Sequence, residues 1–135
     1  MTDFRTNTKK PKGKTGLNRL WHAFIYSLNG LYYSITKETA FQQEFCVYIV
    51  LLVVLFFLPL SIVFKSLLLL VNTLVLIVEM LNSAIEAIVD MVSPEYHALA
   101  KKAKDLGSGA VFVSIVLAVT LWISSICFIF NANGA

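Results

Sequence analysis

The chain has 135 residues, 58% of them hydrophobic and only 14% charged, and is far more apolar than an ordinary soluble domain. That length accommodates three membrane helices and excludes a second soluble domain. The net charge of +3 says less than where the charges lie, and no nucleic-acid partner is expected.

Residues 1–16, with Lys9-Lys10-Pro11-Lys12-Gly13-Lys14-Thr15, are basic and without periodicity, which reads as a disordered cytoplasmic tail. Gly13-Lys14-Thr15 imitates the end of a phosphate-binding loop, but Thr8 stands where its first glycine belongs and no strand precedes it. The tail is not a signal peptide: the first long apolar run starts too late and no small-residue cleavage site follows. From Leu17 the pattern turns helical. Leu17, Leu20, Trp21, Phe24, Leu28, Leu31, Tyr32 and Ile35 recur at spacings of three and four, opposite Asn18, His22, Asn29 and Thr36. This fits an amphipathic helix over about 17–37, lying in the membrane interface or packed on protein, with Gly30 a candidate break point.

Phe45 to Phe64 carries no charge, enough to cross a hydrocarbon core of ~30 Å, and Pro59 sets the turn at Leu58 to Ser61. Lys65 anchors the return. Three spans follow from this reading, over about 40–58, 64–92 and 94–130, the last opened by Ser93 as cap, Pro94 and Glu95. Of the eleven Lys and Arg residues, seven precede Glu38 and three are Lys101, Lys102 and Lys104. The positive-inside rule therefore puts the N-terminus in the cytoplasm and the C-terminus outside. Cys46 and Cys127 then fall near opposite faces, roughly 25 Å or more apart by helix rise, which forbids a disulfide and leaves them as packing residues.

One stretch breaks the membrane pattern. After thirteen uncharged residues, Ser66 to Val78, the second span meets Glu79, Asn82, Glu86 and Asp90. At ~100° per residue these share one face, with Ile77, Leu81, Ile85, Ile88 and Val92 turned elsewhere. A carboxylate at bilayer depth costs on the order of 2.5–3.5 kcal/mol on insertion scales. A helix leaving the membrane and solvating its end would account for Asp90, but not for Glu79. A functional site accounts for both.

With this topology Glu38, Glu44, Glu86, Asp90, Glu95, His97, Lys104 and Asp105 gather at the cytoplasmic boundary. Carboxylates with a lysine and a histidine there suit a hard cation and a polyphosphate: Mg²⁺ takes one or two carboxylates plus phosphate oxygens and water. Phosphoryl transfer asks mainly for positioning, charge neutralisation and a proton acceptor. Glu79 lies ~10 Å deeper than Glu86 by helix rise. It is thus set to meet a lipid hydroxyl as general base while Glu86 meets a nucleotide. On the third helix His97, Lys101, Lys104 and Asp105 share a face, which reads equally well as a nucleotide contact or as a solvated basic connection facing anionic lipid.

Glu79-x-x-Asn82-Ser83-Ala84-Ile85-Glu86-Ala87-x-x-Asp90, with Glu95-Tyr96-His97 and Ala103-Lys104-Asp105-x-Gly107-Ser108, closely resembles the small bacterial membrane diacylglycerol kinases. Glu38-x-Ala40-Phe41-x-Gln43-Glu44 resembles the family's upstream acidic motif, and the likeness runs from Arg19 to Trp122. The resemblance implies an all-α membrane protein: a surface helix and three transmembrane helices, assembled as a homotrimer with composite sites near the cytoplasmic face of the inner membrane. It implies MgATP as phosphoryl donor and diacylglycerol as acceptor, giving phosphatidic acid. By position, Glu79 matches the base, and Glu38 and Glu86 the metal- and nucleotide-binding acids. Arg19, Tyr26, Glu95, Tyr96, His97, Lys104 and Asp105 match nucleotide contacts; Asn82, Lys65 and Ser108 fall where lipid or support contacts are expected. His22 and Asn29 stand where members of the family carry lysine, and Gln42 and Lys65 where arginine is usual. An undecaprenol kinase shares the fold and the acidic motif, but the Ala40–Glu44 stretch is closer to the diacylglycerol branch. An ion or proton transporter with Glu79 as relay fits less well, because no inverted repeat is visible and the acids cluster at one face.

Overall fold

In the computed structural model the described residues are 16–133, so the expected basic tail, Gly16 apart, lies outside them. Four helices follow in order: α1 (Leu17–Lys37), α2 (Thr39–Phe57), α3 (Ile62–Val92) and α4 (Ala98–Asn133). The last three are long and apolar enough to cross a membrane. The chain divides into two compact units, and the boundary between Tyr33 and Ser34 falls inside α1. The first unit carries most of α1, which runs unbroken through Gly30. A glycine in a helix interior costs ~1 kcal/mol, and that alone does not end one. Its apolar residues Leu17, Leu20, Trp21, Phe24 and Leu28 are exposed.

The second unit holds α2, α3 and α4. α2 starts after Glu38, whose backbone is extended, and ends at Leu58, since the residue before Pro59 is steered out of helical geometry. The turn falls at Leu58–Ser61 as expected, and Lys65 Nζ reaches back to donate to the Phe56 carbonyl at 3.2 Å. With 31 residues, α3 is ~46 Å long by helix rise and overruns the hydrocarbon core, so one end must reach the headgroups.

The third span starts later than the sequence suggests. Ser93 caps the end of α3, its N–H bonded to the Val89 carbonyl at 2.8 Å, and residues 94–97 form a non-helical connection. His97, rather than Ser93, caps α4: its Nδ1 accepts from the Leu99 N–H at 3.2 Å and its carbonyl from the Lys101 N–H at 3.0 Å. An imidazole that satisfies a first-turn N–H replaces the serine cap expected upstream.

The unit is inverted relative to a soluble bundle. Large apolar side chains such as Phe56, Leu70, Ile77, Phe112 and Phe130 face outward, while Asn72, Glu79, Asn82, Ser114 and Ser125 are buried. In lipid, exposing leucine costs nothing, so helices associate through close backbone approach and interhelical hydrogen bonds. α4 meets α3 along a seam of small and medium residues, Gly107, Val111, Ser114, Ala118 and Ser125, all buried. Midway, Trp122 Nε1 donates to Asn72 Oδ1 at 3.0 Å, and Tyr48 Oη lies 3.2 Å from Thr73 Oγ1 between α2 and α3. Cys46 and Cys127 are both free, as expected, but both are exposed instead of packed.

Candidate active site

The polar stripe of α3 faces the bundle interior. Glu79 is 4% exposed and Asn82 8%, while the apolar residues around them in sequence, Ile77, Leu81 and Ile85, are exposed. Further along, Glu86 is half-buried and Asp90 exposed. The stripe thus grades from enclosed to solvated over eleven residues, ~16 Å by helix rise.

Acids surround the buried one. Glu38 and Glu86 act electrostatically on Glu79, and Glu79 acts on Glu44. Glu44 brings α2 into the cluster, and its Oε2 is buried without a hydrogen-bond partner. In sequence Glu44 falls at the boundary with no role assigned to it. Its signal is the one used for Glu79, an uncompensated acid at the edge of an apolar run. Asn82 Nδ2 donates to Glu86 Oε1 at 3.2 Å and so fixes the carboxylate one turn above it.

The cations come from α4. Lys104 Nζ pairs with Asp90 and lies in electrostatic reach of Glu86. Glu95 and Tyr96 are exposed on the connection, His97 caps α4, and Asp105 and Ser108 are exposed on α4. His97 therefore precedes the helix, and the face expected to carry His97, Lys101, Lys104 and Asp105 starts at Lys101. Arg19 and Tyr26 are exposed on α1 in the first unit. Lys65 lies fourteen residues from Glu79 on α3, ~21 Å by helix rise, so it does not join the acids. Its described hydrogen bond is to the Phe56 carbonyl at the α2–α3 turn.

Among the described residues no group of three or more His, Cys, Asp or Glu side chains could hold a metal ion alone. Mg²⁺ does not require one, since it takes one or two carboxylates and completes its shell with phosphate oxygens and water. The cluster of acids, with Glu86 held by an amide and both Glu86 and Glu38 in electrostatic reach of Glu79, fits such a shared ion. Beside Glu44 opens a cavity of about 510 Å³, lined by Tyr48 and Leu51 of α2, Leu76 of α3 and Val119 of α4, and continuing to Ile126.

The family model for prokaryotic diacylglycerol kinases matches residues 25–126. The chain belongs to the prokaryotic diacylglycerol kinase family. It is 47% identical to a diacylglycerol kinase of Pseudomonas aeruginosa over 111 residues, covering 82% of this chain and 90% of that one. To the diacylglycerol kinase of Escherichia coli K12 it is 43% identical over 108 residues, covering 80% and 88%. A Helicobacter pylori diacylglycerol kinase is 35% identical over 122 residues, covering 90% and 92%. The matched segment of this diacylglycerol kinase family member contains the whole acidic stripe, the α3–α4 connection and the α4 seam.

Proposed function

We propose that the chain is a membrane lipid kinase that moves the γ-phosphoryl group of MgATP to the hydroxyl of diacylglycerol, giving phosphatidic acid and ADP. The observation that carries this reading is Glu79. It is a carboxylate buried on the inward face of a membrane helix, with further acids toward one membrane surface. In this reading Glu79 accepts the proton of the lipid hydroxyl as that oxygen bonds to the γ-phosphorus and the bond to the β-phosphate oxygen breaks. Glu38 and Glu86 would hold Mg²⁺, which would supply neutralisation of charge on the phosphate oxygens. Asn82 orients Glu86, and Lys104, Asp105, Glu95, Tyr96, His97, Arg19 and Tyr26 contact the nucleotide. Ser108 supports the lipid headgroup, and the cavity beside Glu44 offers apolar surface to an acyl chain.

The reading includes a homotrimer in the inner membrane, with the N-terminus and the acidic end of α3 cytoplasmic. The basic residues at that end support the orientation, the apolar surface exposed on the spans supports the membrane setting, and the trimer rests on the family resemblance. A polyprenyl alcohol such as undecaprenol is the competing acceptor. The test uses purified protein in mixed micelles with radiolabelled ATP, offered diacylglycerol and undecaprenol in parallel. Label is expected in phosphatidic acid, and exclusive labelling of the polyprenyl phosphate would replace the acceptor.

A further inference from the structure

A helix interior is a poor place for glycine, which is less favourable there than alanine. α4 carries two, Gly107 and Gly109, and neither needs the residue's conformational freedom, since among the described residues only Gly16 has positive φ. They differ in their surroundings. A Cβ at Gly109 would meet nothing within 4 Å. A Cβ at Gly107 would overlap Asn82 Oδ1 and sit 3.4 Å from Asn82 Cγ and 3.9 Å from its Cα. Gly107 is thus the point where α4 comes close to the acidic stripe.

The side chain it meets is held in one orientation. Asn82 Nδ2 donates to Glu86 Oε1 at 3.2 Å, whereas Oδ1 is buried with no hydrogen-bond partner. Turning the amide over would aim its oxygen at a carboxylate, two acceptors without a proton between them. The unsatisfied Oδ1 is retained because the bare Cα of Gly107 leaves room for it. Oδ1, Cγ and Nδ2 form one rigid plane, so displacing the oxygen swings the nitrogen away from Glu86.

We infer that Gly107 is a positioning residue for phosphoryl transfer, leaving the space in which Asn82 holds the Glu86 carboxylate toward the shared Mg²⁺. This rests on the proposed role of Glu86 in binding that ion. Gly107 touches neither substrate; it acts through Asn82.

Gly107→Ala, Gly109→Ala, Asn82→Ala and the double variant Gly107→Ala/Asn82→Ala separate this from a packing role. The two glycine variants gain the same helix propensity, so a difference between them reports on Asn82. Two readouts are needed: the Mg²⁺ concentration giving half-maximal rate, and the side-chain amide resonance of Asn82 in ¹⁵N-labelled protein. Gly107→Ala is expected to raise the Mg²⁺ requirement about tenfold, the scale of losing a group that orients a metal ligand, and to move the Asn82 resonance. Gly109→Ala should leave both at native values, and the double variant should match Asn82→Ala. An unmoved Asn82 resonance in Gly107→Ala, or additive effects in the double variant, overturns the inference. Should Gly107→Ala fail to fold, the double variant, where the methyl has room, must fold, and its failure overturns the inference too. Glu86→Gln is assayed alongside. If it keeps the native Mg²⁺ response while the Asn82 resonance still moves in Gly107→Ala, the link to Asn82 stands and the role of Glu86 at the metal falls.

Discussion

Asn72 and Glu79 stand two turns apart on the inward face of α3, both at 4% exposure, and their surroundings are opposite. Asn72 Oδ1 receives the Trp122 N–H from α4. Glu79 is ringed by Glu38, Glu44 and Glu86, groups of its own sign. A buried neutral group given a partner holds two helices together. A buried acid given other acids is left poorly stabilised, a cost that only a cation, a proton or a substrate relieves. One helix face is thus divided into a clamp in one half and an acidic cluster in the other.

Glu79→Gln breaks that contrast most sharply, because it makes residue 79 neutral like Asn72 while keeping its size. The amide cannot accept the hydroxyl proton, and general-base contributions are typically on the order of 10²–10⁴-fold. We expect kcat to fall at least ~100-fold, with nucleotide affinity nearly native and the fold retained, since loss of a lipid-depth charge removes an insertion cost. Turnover is to be read beside binding of a non-hydrolysable ATP analogue on one preparation. Turnover within a few-fold of native would show that Glu79 is not the base, and joint loss of binding would move it to the metal site.

Glu86→Gln tests the outer part of the same half. The half-buried carboxylate keeps its volume but loses the charge that Asn82 orients. The Mg²⁺ needed for half-maximal rate should rise by about 10-fold or more, with circular dichroism and oligomeric size unchanged. An unaltered Mg²⁺ and ATP dependence would remove Glu86 from the metal site.

The acidic half is legible in the sequence and the clamp is not. Thirteen uncharged residues before Glu79 make that acid conspicuous, and 3.6-residue spacing put Asn82, Glu86 and Asp90 on its face. Helix bounds followed from apolar length and Pro59, except at α4, where a histidine cap at His97 overrode the Ser93-Pro94-Glu95 signal. Asn72 and Trp122 lie 50 residues apart, and an asparagine in a span gives no hint of which helix supplies its donor. Gly107 was read as part of a motif, but its reason, the close approach of Asn82, exists only once α3 and α4 are packed.

On the clamp side, Trp122→Phe deletes one donor and strands Asn72 Oδ1, while Asn72 Nδ2 already has no partner. The expected loss is ~0.6–2 kcal/mol, between the average for interhelical bonds in membranes and the cost of an unsatisfied buried acceptor. Replacing both partners, as Trp122→Phe/Asn72→Leu, should recover most of it, because no polar group is then left unpaired. Stability in detergent, followed by unfolding in denaturant, reports this directly, with Mg²⁺ dependence native in both variants. A double variant less stable than Trp122→Phe would mean that Asn72 has another partner and the clamp is misassigned.

The Tyr48–Thr73 contact between α2 and α3 sharpens the comparison further. Thr73 Oγ1 also donates to the Leu69 carbonyl of its own helix at 2.8 Å, and a hydroxyl has one proton. Tyr48 Oη must therefore be the donor across the 3.2 Å contact, and Thr73 the acceptor. The two substitutions are then unequal. Thr73→Val removes the acceptor and leaves the Tyr48 O–H beside an apolar cavity without a partner, so the cost should be about 0.6–1 kcal/mol. Tyr48→Phe removes the donor and leaves Thr73 still bonded to Leu69, so the stability change should be close to zero. Neither variant should alter the Mg²⁺ requirement, since both residues lie away from Glu38 and Glu86. The same unfolding assay decides the direction of the bond: a larger loss in Tyr48→Phe than in Thr73→Val would make Thr73 the donor.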